Sequence, residues 1–280
     1  MNLSELLNKY MRGQITIDYL QRQISVNSIE EVGNNLAKLD IGREARKEIP
    51  EVILANRKEY KDILEISLTA IKRNGQIVVS KVPREYLRRL QADIGKRGFG
   101  IELGRNSNTI LITENDNSSY KKRIRGKIGI LAAGTSDIGV AEEARLMAKA
   151  MRCMTFESYD VGIAGIHRLF KALQEIVSNS VGAIVVVAGM EGALASVVSA
   201  IVNVPVIGVP TSVGYGFGSD GVAALASMLQ TCAFGLAVVN IDNGIGAGAF
   251  AALVANNVSK RPHKVRRLGS ETKQNLLKRL

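Results

Sequence analysis

From Lys127 onward the chain alternates short apolar runs, glycine-rich turns and helical stretches, and this alternation constrains its fold more than any other feature. Lys127 to Ala133, Met154 to Ser158, Ala183 to Ala188, Pro205 to Gly208 and Leu236 to Asn240 read as strands. Between them, Val140 to Met151, Gly165 to Val177, Glu191 to Ile201 and Gly221 to Gln230 read as helices, and a closing helix includes Gly248 to Ala255. Continuous apolar runs suit strands buried on both faces, and strand–helix alternation at this spacing builds βαβ units. A doubly wound parallel sheet with helices on both faces is therefore expected.

Upstream, residues 1–120 read as a small, more polar α/β domain. Ser4 to Leu7, Thr16 to Leu20, Tyr60 to Arg73 and Pro83 to Ala92 read as helices, and Asn74-Gly75 ends the third of them. Glu51 to Leu54, Ile77 to Ser80, Ile101 to Leu103 and Thr109 to Thr113 read as strands. Asn115 to Lys127 is a polar, basic linker, residues 121–258 form the catalytic domain, and residues 259–280 form a basic tail. That tail matters because the net charge of +11 invites a nucleic-acid reading. From Lys260 to Leu280 there are eight Lys/Arg and one Glu, which is +7 of that charge, and another basic cluster lies at Lys121 to Lys127. No zinc-finger spacing or RNA-recognition signature accompanies the charge, so it reads as a solvated tail and linker rather than a nucleic-acid surface.

Two cysteines, Cys153 and Cys232, make no disulfide framework, and a cytoplasmic location is expected. Val222 to Val239 approaches the length of a membrane span, but Ser227, Gln230, Thr231 and Gly235 interrupt it. It reads as a buried helix followed by a buried strand, with no membrane contact.

In open α/β sheets, ligands bind beyond the carboxyl ends of the strands. The loops there carry Gly134-Thr135-Ser136-Asp137, Asp160 to Arg168, Gly189-Met190-Glu191-Gly192, Pro210 to Gly216 with Thr211 and Ser212, and Asp242 to Gly248. Gly134 to Asp137 can hold a phosphate at a helix N-terminus, or Ser136 or Asp137 can simply cap that helix. His167 reads as a structural histidine or, beside Arg168, as part of an anion or proton-transfer site. Glu191 fits a first-turn acid complementing the helix dipole as well as a general base. The GIGAG stretch at Gly244 to Gly248 is explained equally by close helix packing. By its neighbours alone Cys232 reads as a core cysteine, and Cys153 more so.

GTSD followed by VAEEA, then YDVGIAGIHRL, VVAGMEGALASVV, PVIGVPTSVGYG and TCAFGLAVVNIDNGIGAG, together resemble the nickel-pincer nucleotide cofactor carboxylases. These are pyridinium-3,5-biscarboxylic acid mononucleotide synthases, whose C-terminal domain is similar to aminoimidazole ribonucleotide carboxylase. LDIGREARKEIPEVILANRKEYKDI resembles the N-terminal region of the same family. The resemblance implies a flavodoxin-like sheet, nicotinic acid adenine dinucleotide and CO2 or bicarbonate as substrates, and a homo-oligomer, an octamer in size. No tightly bound organic cofactor is implied. By the same likeness Cys232 is the nucleophile, Glu191 the group for base or water activation and His167 a third catalytic residue, while His167 and Arg168 match a pair that faces phosphate and carboxylate. Gly134, Thr135, Ser136, Asp137, Asp160, Gly189, Met190, Thr211 and Ser212 complete the substrate site, with Mg2+ at Asp137. The chain departs from the family at Gly139 and Ala195, where proline is usual and a turn is expected, and in the loop Gly216 to Gly221.

Two other readings remain open. One is a purine-type carboxylase or mutase acting on aminoimidazole ribonucleotide, which needs no cysteine. The other is a non-catalytic nucleotide-binding scaffold.

Overall fold

The computed structural model describes residues 3–25, 29–33, 36–114 and 124–260; most of the expected linker and the basic tail beyond Lys260 lie outside them. The second half of the chain forms a five-stranded sheet of β7 (Gly126–Ala132), β8 (Cys153–Ser158), β9 (Ala183–Ala188), β10 (Val206–Pro210) and β11 (Leu236–Val238). Its order is β11-β10-β9-β7-β8, and every neighbouring pair is parallel. This is the flavodoxin-like order, in which successive strands step outward in one direction and then reverse beside the first.

Helices α6 (Ile138–Ala150) and α10 (Gly244–Lys260) cover one face; α7 (His167–Ser178), α8 (Ala193–Ile201) and α9 (Val222–Leu229) cover the other. Alternation along β7 sends Ile128, Ile130 and Ala132 to the first core and Leu131 to the second. The GIGAG glycines serve the packing of α10 on α6. A Cβ on Gly244 would lie 2.2 Å from the carbonyl oxygen of Val140, and one on Gly248 would lie 2.4 Å from that of Ala144.

The N-terminal half opens with α1 (Leu3–Met11) and α2 (Ile17–Ser25), then a hairpin of β1 (Ile29–Val32) and β2 (Ala37–Asp40), and α3 (Arg43–Lys47). The hairpin and α3 escape a pattern reading because they are short and polar. A four-stranded sheet follows in the order β3-β4-β6-β5, built from β3 (Val52–Leu54), β4 (Gln76–Ser80), β5 (Phe99–Leu103) and β6 (Ile110–Glu114). Helices α4 (Tyr60–Asn74) and α5 (Arg84–Gly95) pack on one face with Ile77, Val79 and Ile112. Val78 and Leu111, on the opposite face, join the core around α6. Gly75 closes α4 in the left-handed conformation (φ 72°), and its N–H bonds the Ile71 carbonyl at 2.7 Å.

Polar contacts reinforce this junction. Arg145 pairs with Glu142 and Glu102, Lys149 with Glu102, and Tyr159 Oη donates to Glu142 Oε1 at 2.6 Å. Burial opposes the charge of Glu142, but Arg145, Tyr159 and the Arg105 N–H prevail, and its pKa falls below the ordinary 4.5.

Two sequence expectations need correction. Gly139 and Ala195 stand not in turns but in the first turns of α6 and α8. A Cβ on Gly139 would lie 2.4 Å from the carbonyl oxygen of Asn106, so the N-terminal domain approaches there. Val222 to Val239 is also less buried than its hydropathy suggests. In α9 only Ala224 and Met228 are buried, and β11 is an edge strand that is partly exposed. Among the described residues no helix is long and apolar enough to cross a membrane.

Candidate functional site

The sheet reverses its order between β7 and β9, and the loops leaving their carboxyl ends meet at Asp137. This residue closes a short 3₁₀ turn, Thr135–Asp137, and is 3% exposed. Its Oδ2 accepts the Gly134 N–H at 2.9 Å, its Oδ1 accepts the Thr211 hydroxyl at 2.6 Å, and the Gly189 N–H also bonds the carboxylate. One side chain thereby ties together the loops after β7, β9 and β10. Burial raises its pKa above the ordinary 3.8; the three donors oppose the shift, and the charge of Asp242 adds to it. Asp137 makes no side-chain cap for α6 itself, but its carboxylate takes the Gly134 N–H at the start of the 3₁₀ turn that leads into that helix.

Gly189 permits the approach of the next loop: a Cβ there would lie 2.3 Å from the carbonyl oxygen of Val213, and the Met190 N–H bonds that oxygen at 2.7 Å. Thr211 is fully buried, whereas Ser212 is exposed and its N–H bonds Asp242 Oδ1 at 2.9 Å. Asp160, Met190 and Asp242 hold left-handed φ values of 61°, 52° and 53° in the loops after β8, β9 and β11. Such conformations cost L residues about 1–2 kcal/mol each, and these three lie on the rim formed by the carboxyl ends of the strands.

Thr135 and Ser136 are exposed on that rim. Arg168 pairs with Asp160, while His167 opens α7 and is exposed. Glu191 is exposed at the turn between Met190 and Gly192, ahead of α8 rather than in its first turn. The helix-dipole reading of this acid therefore loses its basis. The residues present do not fit a protein-held Mg2+ ion at Asp137. Both carboxylate oxygens are already engaged, and no group of three or more acidic, His or Cys ligands gathers among the described residues.

Cys232 stands elsewhere in the chain. It lies in the connection from α9 to β11, at the amino ends of the strands, and is exposed. The length of β10 alone separates it from Thr211 by roughly 16 Å along the strand. The core-cysteine reading fails for Cys232 and holds for Cys153. Cys153 is buried, with Sγ 3.3 Å from Asn256 Oδ1, and burial pushes its thiol pKa up to about 11. Leu229 and Phe234, which flank Cys232 in the sequence, are exposed, and so are Tyr215, Phe217 and Val222 at the other end of α9, Phe217 and Phe234 almost completely.

The domain is a flavodoxin-like α/β sheet with a polar cluster at its switch point, the place where open α/β sheets bind ligands. The profile described as AIR carboxylase matches residues 127–275, and that described as LarB/PurE-like N-terminal domain matches residues 29–115. The chain belongs to the AIR carboxylase family and carries the LarB/PurE-like N-terminal domain, which supports a carboxylase-type role. An uncharacterized protein of Methanocaldococcus jannaschii is 43% identical over 262 residues, covering 92% of this chain and 99% of the relative. A protein of Methanothermobacter thermautotrophicus named Probable N5-carboxyaminoimidazole ribonucleotide mutase is 31% identical over 135 residues, covering 47% and 38% of the two chains.

Proposed function

We propose that this protein carboxylates the pyridinium ring of nicotinic acid adenine dinucleotide and hydrolyses its phosphoanhydride with one water, releasing pyridinium-3,5-biscarboxylic acid mononucleotide and AMP. The observation that carries this reading is the exposed thiol of Cys232 in a carboxylase-type domain. A pyridinium ring cannot attack CO2 itself. Addition of the Cys232 thiolate at ring carbon 4 gives a neutral dihydropyridine whose carbon 5 is an enamine carbon. That carbon bonds to CO2, leaving an iminium; loss of the carbon 5 proton restores the enamine. The ring nitrogen then expels the thiolate and regenerates the pyridinium. The net change exchanges one ring proton for a carboxylate, with no oxidant or reductant. A thiolate suits both addition and departure.

Glu191, exposed on the rim, is the proposed proton acceptor. His167 and Arg168 are assigned to the ribose phosphate, and the loops from Gly134 to Asp137, Gly189 to Met190 and Thr211 to Ser212 to the nucleotide. Because Cys232 lies at the opposite end of its own sheet, the reading requires a homo-oligomer in which one copy lends Cys232 to the rim of another. The exposed Leu229 and Phe234 on either side of Cys232 supply apolar area suited to such an assembly.

The test is to incubate the protein with dinucleotide, bicarbonate and Mg2+ and seek carboxylated mononucleotide and AMP by mass spectrometry. A folded protein that yields neither refutes the proposal. The likeness to the mutase favours a second reading, action on a carboxyaminoimidazole ribonucleotide. Turnover of that compound, retained in Cys232→Ala, would select it.

A further inference from the structure

The N-terminal sheet meets α6 at Glu143. This carboxylate is 7% exposed, and its Oε1 stands 3.4 Å from Ser80 Oγ and 3.2 Å from Thr109 Oγ1. Gly244 lies on another side of it, where a Cβ would sit 2.7 Å from Glu143 Cβ. Gly244 follows the loop of Asp242, which holds the Ser212 N–H. The end of β4 is thus one side chain away from the loops that shape the switch-point cluster.

Lys81 directly follows Ser80 and is exposed. Its backbone is left-handed (φ 55°), an uncommon state for lysine, and is fixed on both sides. The Ala55 N–H bonds the Ser80 carbonyl at 2.8 Å, and the Val82 N–H bonds the Asn108 carbonyl at 2.9 Å. Lys81 therefore starts one residue from the Ser80 hydroxyl that meets Glu143. Among the described residues no carboxylate comes within ion-pair distance of Lys81, whereas Arg168 is engaged by Asp160. The rim carries Asp137, Asp160, Glu191 and Asp242, so an anionic ligand needs a cation not already spent on these acids.

We propose that Lys81 is a substrate-binding residue lent by the N-terminal domain, and that it holds the second phosphate of the dinucleotide, the one a mononucleotide lacks. The assignment rests on the dinucleotide reading above. It also gives the N-terminal domain a task, since Lys81 lies outside the carboxylase-type domain that holds the other proposed contacts.

The experiment is calorimetric titration of full-length wild type, Lys81→Ala and Lys81→Arg with nicotinic acid adenine dinucleotide and with nicotinic acid mononucleotide. Loss of one charge-assisted contact should weaken dinucleotide binding by Lys81→Ala about tenfold or more. Mononucleotide binding should change less than about twofold, and Lys81→Arg should restore most of the dinucleotide affinity, since it keeps the cation. Unchanged dinucleotide affinity in Lys81→Ala, or an equal loss for both ligands, overturns the assignment. Failure of the wild type to bind the dinucleotide overturns the substrate reading, and this assignment with it, before any variant is compared.

Discussion

The Thr211 hydroxyl donates a 2.6 Å hydrogen bond to Asp137 Oδ1, joining residues 74 positions apart in sequence at the switch point of the sheet. Both partners are buried, so neither can turn to water if the other is removed. Thr211→Val should cost about 1–3 kcal/mol and Asp137→Ala at least as much, because the latter also strands the Gly134 and Gly189 N–H groups. Both should lower the midpoint of chemical unfolding, and Asp137→Ala should abolish turnover. Wild-type stability in Thr211→Val would refute this account of the cluster.

The two thiols should react very differently. Cys232 is exposed, while Cys153 is buried with its pKa pushed up to about 11. An alkylating reagent at mildly alkaline pH should modify Cys232 alone in the native protein, and Cys153 only after denaturation. Peptide mapping by mass spectrometry reads this directly. Rapid native labelling of Cys153 would contradict its burial.

If one copy lends Cys232 to the rim of another, two inactive variants should rescue each other. Cys232→Ala and Asp137→Asn should each be inactive alone, and subunit exchange should restore up to about a quarter of wild-type activity. No recovery, despite mixed oligomers seen by native mass spectrometry, would exclude the shared site.

Burial raises the pKa of Glu143 above 4.5, against the nearby Lys81 charge and the Thr109 and Ser80 hydroxyls. The folded state therefore binds this proton more tightly than the unfolded chain. Its contribution falls as pH climbs from 4.5 through the folded pKa. Glu143→Gln keeps an oxygen for the two hydroxyls and removes the buried charge. It should melt higher than wild type at mildly alkaline pH, with the difference shrinking below pH 4.5. A constant difference across that range would rule the mechanism out.

Arg145 holds two carboxylates, Glu142 and Glu102, across the junction of the two sheets. Arg145→Ala leaves Glu142 charged and buried without its main partner and should cost about 3–5 kcal/mol. Urea denaturation measures this. A loss below about 1 kcal/mol would show that water replaces the guanidinium.

Much of the fold is legible in the chain because its causes are local. Ala183 to Ala188 is apolar throughout because both faces of β9 are covered, and Asn74-Gly75 ends α4 because glycine accepts the left-handed backbone. The hairpin from Ile29 to Asp40 is not legible, since its strands are only four residues long and half polar.

Sequence alone determined the parallel sheet and the loops that leave its carboxyl ends, because βαβ alternation dictates both. Only the tertiary structure decided what those loops do to one another. Asp137 meets Thr211 and Gly189 because the strand order sets β7 beside β9 and β10 beyond it, a spatial adjacency that hydropathy does not encode. The same holds for Cys232. Its apolar neighbours suggest a core position, yet α9 returns the chain to the amino ends of the strands and leaves the thiol in solvent.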